Sequence, residues 1–471
     1  MEAAFETLKG MVEKVPPRQR TDRSWISPTT WSLVDTRVAL RKQNRMGKAE
    51  GRRLARKIKG SLKEDRIARA KATGEACEAE LRQGNVQEAF RHLRGWYRAA
   101  SEVASRPCFL TLERQTQDRV ELYGQVPPPG APIPINIDPS PIMDSAPTDS
   151  EIRDVVRTLK LGRAGGTSKI RAEDIRGWLR GAVEEEDPEL TAAEGAGDNW
   201  RLFVTLIQTI WTEGEVPRQL HWVIVVLIPK GGGGYRGIGL LEPIWKVVET
   251  IMDKRLNVIA LHECLHGFRA GKGTGTATID AKLAQQLAFR EQAPLYGVFI
   301  DLRKAFDSMD RGRCIAVLRG YGVGPRMIAL IAHFWEKAEL ACRAEGNFGR
   351  IFKADRGVTQ GGPLSPKIFN ILVDAVVCEW LRQLFGDEVA RDGFGALGPD
   401  EEQRLIRLFV ALFYADDGYI ASRDPELLDR ALLIIVGLFE RVGLQTNTTK
   451  TEAMICTPGK IRTRLSASSY Y

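Results

Sequence analysis

The chain has 471 residues, 43% of them hydrophobic and 27% charged, enough for roughly two or three domains with substantial cores. Its 68 Lys and Arg against 60 Asp and Glu give a formal charge of +8, which favours a polyanionic partner over a membrane. The acidic start Met1-Glu2-Ala3-Ala4-Phe5-Glu6 lacks a signal peptide's basic start and apolar centre, no apolar run reaches spanning length, and seven dispersed cysteines without a C-x-x-C pair argue against a disulfide framework or zinc ribbon. A soluble protein of a reducing, intracellular compartment is expected.

Residues 1–122 read as a mostly helical, basic N-terminal extension, broken early by Pro16-Pro17 and Pro28. Between Arg37 and Lys71, fourteen Lys or Arg stand against Glu50, Glu64 and Asp65. The spacing Arg41, Arg45, Lys48, Arg52, Arg56, Lys59, Lys63 predicts a basic stripe along one helix of about thirty residues. Such a stripe would hold RNA or DNA phosphates in a salt-dependent way; the plainer reading is a solvated helix face. Residues 123–147 form a proline-dense linker that will be extended. Thr148-Asp149-Ser150-Glu151 then opens a helix with a capping box. Glu184 to Gly197 reads as an acidic, exposed loop, and from Trp200 to Met454 helices alternate with short strands in an α+β pattern.

Within that region the apolar run Val223 to Pro229 is followed by Lys230, four glycines and Arg236. Gly232, Gly234 and Gly237 satisfy G-x-G-x-x-G, but no βαβ unit surrounds them and a dinucleotide site is rejected. His262-Glu263-Cys264-Leu265-His266 spells H-E-x-x-H, yet no third ligand follows at close spacing, and a structural role is expected.

Leu295 to Asp301 is an apolar strand that delivers Asp301 at its end, followed by a turn into a helix. Gln360-Gly361-Gly362 predicts a tight turn whose backbone can approach a substrate, because glycine has no Cβ to clash. Ser365 is expected to cap a helix with Pro366 at its first position and Ile368, Phe369, Leu372, Val376 and Leu381 in the core. Two apolar runs flank Asp416-Asp417-Gly418, predicting two strands with that triplet as the turn. Adjacent carboxylates repel and call for a cation, although Asp-Gly is also an ordinary surface turn. Three carboxylates at strand ends match a two-metal phosphoryl-transfer site, where hard cations about 4 Å apart clamp the attacking and leaving oxygens. Mg²⁺ suits carboxylate oxygen and keeps several waters.

Asp301-x-x-x-Ala305-Phe306-Asp307, then Gln360-Gly361-Gly362-Pro363-Leu364-Ser365-Pro366, then Tyr414-Ala415-Asp416-Asp417 resemble motifs A, B and C of reverse transcriptases in their order and separation. The Lys304-Ala305-Phe306-Asp307-Ser308 and Gln-Gly-Gly-Pro-Leu-Ser-Pro forms are similar to the polymerases of LINE-type (non-LTR) retrotransposons. His266-Gly267-Phe268-Arg269 resembles the stretch before motif A, Gly443 to Glu452 motif D, and Leu161 to Ile170 with Glu173 the N-terminal extension motif. The resemblance covers residues 148 to 456.

It implies a right-hand palm and fingers, an antiparallel sheet packed by helices, behind the basic helical region. The implied layout is fingers helices over 148–215, fingers and palm over 216–460, and a tail over 461–471 in place of a thumb. Asp301, Asp416 and Asp417 would hold two Mg²⁺, with Mn²⁺ as a substitute. Lys230 and Arg236 would hold the triphosphate, Phe306 would exclude ribonucleotides, and Gln360 and Gly361 would position the nucleotide and template base. Lys450 would protonate the departing pyrophosphate. The partners would be an RNA template, a DNA primer and dNTPs, and a nuclear or ribonucleoprotein location is expected. A group II intron-like or domesticated enzyme, and a catalytically silent RNA-binding remnant, are the alternatives. One departure is local: Gly237 follows Arg236 where the family usually has Pro.

Overall fold

The computed structural model describes Glu2 and residues 27–42, 48–82, 110–124, 131–135, 139–162, 166–186, 197–229, 235–344, 347–392, 409–458 and 460–466. The chain divides into two compact units, 13–107 and the remainder. In the first unit α1 (Pro28–Lys42) and α2 (Lys48–Arg82) stand where one basic helix was expected. Arg41 falls in α1, Arg45 outside the described residues, and Arg56, Lys59 and Lys63 are exposed on α2. Asp65 joins the two helices by accepting from Thr30 Oγ1 at 2.7 Å and Ser27 N at 3.1 Å.

The second unit begins with α3 (Leu112–Gly124), α4 (Asp149–Thr158), α5 (Ala172–Glu186) and α6 (Asp198–Glu213). The predicted capping box forms: Thr148 Oγ1 accepts from Glu151 N and Glu151 Oε2 from Thr148 N. Glu184 to Glu186 complete α5 instead of belonging to a loop, and 187–196 lie outside the described residues. Part of the linker is bound to the body, since Asp144 accepts from Arg326 N at 2.9 Å and Met327 N at 3.0 Å.

Next come β1 (Trp222–Pro229), β2 (Tyr235–Leu240), α7 (Pro243–Arg255), α8 (Thr274–Arg290), β3 (Leu295–Asp301) and α9 (Ala305–Ser308). They are followed by α10 (Arg311–Gly320), α11 (Pro325–Lys337), β4 (Glu339–Ala344) and β5 (Asn347–Phe348). The chain continues with α12 (Ser365–Phe385), α13 (Asp387–Asp392), β6 (Phe409–Tyr414), β7 (Asp417–Ser422), α14 (Pro425–Arg441), β8 (Glu452–Thr457) and β9 (Lys460–Ser466). One sheet has the order β2-β1-β4-β5, and a five-stranded sheet has the order β6-β7-β3-β8-β9.

The larger sheet is antiparallel throughout, and β9 pairs with β8 over residues expected to be a tail. Its strands alternate: Val298, Ile300 and Ile420 join the main core, which α12 fills with Ile368, Phe369, Leu372, Val376 and Leu381. The start of α12 differs from expectation. Leu364 is the cap residue, Ser365 is the first helical residue, and its hydroxyl donates to Thr359 O at 2.8 Å, bracing the preceding turn. On the opposite face of the sheet α8 packs a smaller cluster, Ala284, Ala288, Leu295, Ala421 and Cys456. The end of that face nearest β6 and β7 carries the chemistry.

Candidate active site

Strands β3 and β7 pair with Asp301 opposite Asp417, Phe299 opposite Tyr419 and Gly297 opposite Ala421. The two-residue period therefore puts both carboxylates on the face of the sheet that carries Phe299 and Tyr419. Phe299 is 45% exposed, and its ring lies 4.7 Å from that of Tyr419. The hairpin turn falls one residue earlier than expected. Ala415 and Asp416 form the loop, and Asp417 opens β7 opposite Tyr414. Gly418 serves the ladder instead of the turn, because a Cβ there would meet the Phe413 ring at 3.0 Å. Ala415 has φ 56, the left-handed conformation that a two-residue hairpin requires at its first position. For alanine this costs on the order of 1–2 kcal/mol.

That turn is held from behind by the H-E-x-x-H segment, which is a turn and not a helix. Phe413 N donates to Cys264 O at 2.8 Å, and His266 N donates to Phe413 O at 2.7 Å. The Gly267 backbone lies against Ala415, where a Cβ would come within 2.6 Å of Ala415 N. Asn370 of α12 holds Gly267 O at 2.7 Å. Burial pushes the pKa of both His262 and His266 down. His266 Nδ1 is 2.9 Å from the Thr276 hydroxyl, so the histidines support the turn and do not converge on a metal.

Asp301 is fixed by a residue of the motif D loop. Asn447 Nδ2 donates to Asp301 Oδ2 at 2.8 Å, and Asn447 N donates to Asp301 O at 2.7 Å. Lys450 Nζ stands 3.9 Å from Asp301 Oδ2, exposed at the rim. Burial first, then Asp416 and Asp301, pushes the Asp417 carboxyl above its ordinary range, with Lys450 opposing. Among the described residues, no three such side chains are already gathered in metal-ligand geometry. The three aspartates still fit a divalent cation. Their donors are all hard oxygen, and a cation would relieve the repulsion from Asp416 and Asp301 that adds to burial in raising Asp417.

Phe306 sits on α9, entered through Lys304 at φ 45. Its ring stacks on Phe369 at 4.5 Å and meets the edge of Phe268 at 6.3 Å. Phe268 in turn lies 6.3 Å from Tyr414, so the aromatic group adjoins the Asp416 turn. Gln360 is fixed at both ends: its O accepts from Gly239 N at 2.6 Å, and its Nε2 donates to Asp307 Oδ2 at 3.0 Å. Gly361 has φ 126 and lies so close to Gly239 O that no side chain fits. Arg236 is exposed on β2 opposite Ile228. Lys230 and Gly231 to Gly234 lie outside the described residues.

Four contributors were not assigned from the sequence. Asn447 was visible only inside a motif, and Asp307, named there only within motif A, is a buried acceptor. Arg119 and Tyr123 of α3 approach Asp307 from a helix whose only signal was their i, i+4 spacing.

Paired carboxylates at the end of an antiparallel sheet, a glycine turn beside them and an aromatic within motif A define a polymerase palm. The family model described as reverse transcriptase (RNA-dependent DNA polymerase) matches residues 228–465. That is 238 of 471 residues, and the chain belongs to this family. The retrovirus-related Pol polyprotein from type-1 retrotransposable element R2 of Popillia japonica is 25% identical over 287 residues, covering 59% of this chain and 37% of that one. The transposon TX1 uncharacterized 149 kDa protein of Xenopus laevis is 25% identical, covering 49% and 17%. The retron Mx162 reverse transcriptase of Myxococcus xanthus is 27% identical, covering 39% and 36%. The chain thus spans less than two-fifths of the length of these relatives. The family model and the R2 relative support the expected likeness to non-LTR retrotransposon polymerases. Among solved structures, apo telomerase from Candida tropicalis truncated from its C-terminal domain overlaps 57% of this chain and 58% of its own, with 16% identity and a TM-score of 0.40. Members of the family use divalent metal ions. Among the described residues, no helix is long and apolar enough to cross a membrane.

Proposed function

We infer that the chain is an RNA-directed DNA polymerase of a non-LTR retrotransposon, extending a DNA primer with dNTPs along an RNA template. The observation that carries this is the register of β3 against β7, with Asp301 opposite Asp417 and Asp416 in the adjoining turn. Asp301, Asp416 and Asp417 would hold two Mg²⁺, or Mn²⁺ in their place. When bound, these ions activate the primer 3′-hydroxyl and neutralise charge on the triphosphate and pyrophosphate.

The chain's own groups do the rest. Asn447 orients Asp301. Arg236, with Lys230 beside it in sequence, binds the triphosphate oxygens, where guanidinium can engage bidentately. Phe306, backed by Phe369, faces the sugar and rejects a 2′-hydroxyl. Gln360 and Gly361 present a fixed amide and a bare backbone to the nucleotide and its template base. Lys450, close to Asp301 and solvent-exposed, delivers a proton to the leaving pyrophosphate.

The exposed cations of α2 contact nucleic-acid phosphates, and a nuclear or ribonucleoprotein location follows from that partner. In domain terms, 1–122 would serve as the basic extension, 123–147 as linker, 148–215 as fingers support and 216–460 as the catalytic body. The test is primer extension on an RNA template, with the wild type set against an Asp416→Ala, Asp417→Ala variant.

A further inference from the structure

Asp307 is 3% exposed and is approached by three side chains from two distant parts of the chain. Tyr123 Oη donates to its Oδ1 at 3.0 Å, Gln360 Nε2 donates to its Oδ2 at 3.0 Å, and Arg119 Nη1 stands 3.8 Å from Oδ2. Arg119 and Tyr123 are one helical turn apart on α3, so both face the same carboxylate.

Helix α3 is firmly seated on the segment that leads into the Gln360 turn. Arg356 donates to Leu122 O through Nε at 2.9 Å and Nη2 at 2.7 Å. Arg350 Nη2 donates to Gln117 Oε1 at 2.8 Å, and the Tyr123 ring stacks on Phe352 at 6.3 Å. On its other side, the Arg119 guanidinium lies 3.0 Å from where a Gly237 Cβ would stand. Gly237 therefore leaves room for the guanidinium beside β2.

We propose that Arg119 and Tyr123 are positioning residues of the nucleotide site, acting through Asp307 to fix the Gln360 amide. The inference rests on the polymerase reading, and it places α3, which lies outside the matched residues 228–465, within the nucleotide-selecting machinery. Gln360 O is already held by Gly239 N. That bond fixes the backbone of Gln360 alone, and the Asp307 bond is what ties down the amide at the end of its rotatable side chain. A carboxylate held from behind by Tyr123 and Arg119 accepts that bond in one fixed direction. With Tyr123 or Arg119 gone, Asp307 rotates and Gln360 loses its register.

The experiment is a double-mutant cycle of Tyr123→Phe with Gln360→Ala in the full chain, reading kcat and KM for a single dNTP separately. One neutral hydrogen bond corresponds to a three- to tenfold effect, roughly. Tyr123→Phe should raise KM for the dNTP by about that factor with kcat nearly unchanged. In the Gln360→Ala background the same substitution should have no further effect on KM. A helix that merely glues the body together predicts the same loss in both backgrounds, and that result would overturn the inference while leaving the polymerase reading intact. A wild type that extends no primer would overturn both. Arg119→Lys, which keeps the charge but shortens the reach, supports the inference if its KM effect also vanishes without Gln360. It refutes it if the effect persists.

Discussion

Gly267→Ala isolates the support behind the Asp416 turn. The added methyl would meet Ala415 N at 2.6 Å, Tyr414 C at 3.3 Å and Tyr414 Cα at 3.4 Å, all backbone atoms that cannot swing aside. Reaching an ordinary 3.4 Å separation from Ala415 N demands a displacement of about 0.8 Å. The strand cannot retreat freely, because Phe413 is bonded to both Cys264 and His266 and Asn370 holds Gly267 itself. The displacement is therefore passed to Ala415 and Asp416. Overpacking of this kind costs about 1–3 kcal/mol of stability. A misplacement near 1 Å in a reacting group costs on the order of a hundredfold in rate. Single-turnover extension should slow by about thirty- to a hundredfold, with Tm lower by a few degrees and RNA affinity unchanged. Gly275→Ala is the control, since its Cβ would meet nothing within 4 Å. A Gly267→Ala rate within about twofold of wild type would refute the claim that the turn is held in place from behind.

Three other perturbations probe different parts. Phe306→Val should admit ribonucleotides by removing the ring stacked on Phe369; unchanged dNTP-to-rNTP selectivity would remove Phe306 from the sugar site. Glu249, buried beneath the Gln360 turn, has its carboxyl pushed by burial to about 7 from its ordinary 4.5. Because the folded-state value is raised, its stability contribution is complete below the unfolded value and is lost as pH rises through about 7. The loss is about 3 kcal/mol. The wild-type Tm should fall between pH 5 and 8, while Glu249→Gln flattens that slope; parallel slopes would contradict the burial argument. Charge reversal at Arg56, Lys59 and Lys63 should lower the slope of log affinity for RNA against log salt by about two to three. An unchanged slope would make α2 a solvated helix and nothing more.

Features fixed by local chemistry were legible in the sequence. The apolar run ending at Asp301, the capping box at Thr148 and the glycines around Gln360 each announce their conformation through residue type and spacing. What was not legible depended on contacts between distant segments. The turn at Asp416 shifted by one residue because Gly418 is needed inside the ladder against Phe413, which no local pattern reveals. Ser365 braces Thr359 instead of capping its helix, because Leu364 already occupies the cap position. Nothing local marks Asp307 as a buried acceptor, because its donor Tyr123 lies 184 residues upstream. The H-E-x-x-H string misleads for the opposite reason: the pattern is present, but the helix that would give it meaning is absent.

The account stands or falls on whether the three aspartates drive nucleotide transfer. The most direct measurement is single-nucleotide primer extension on an RNA template with dNTPs and Mg²⁺ or Mn²⁺, set beside RNA binding by the same preparations. The account predicts extension by the wild type, none by the Asp416→Ala, Asp417→Ala variant, and equal RNA affinity for both. Equal extension by both proteins, or none by either while RNA is bound, would contradict it.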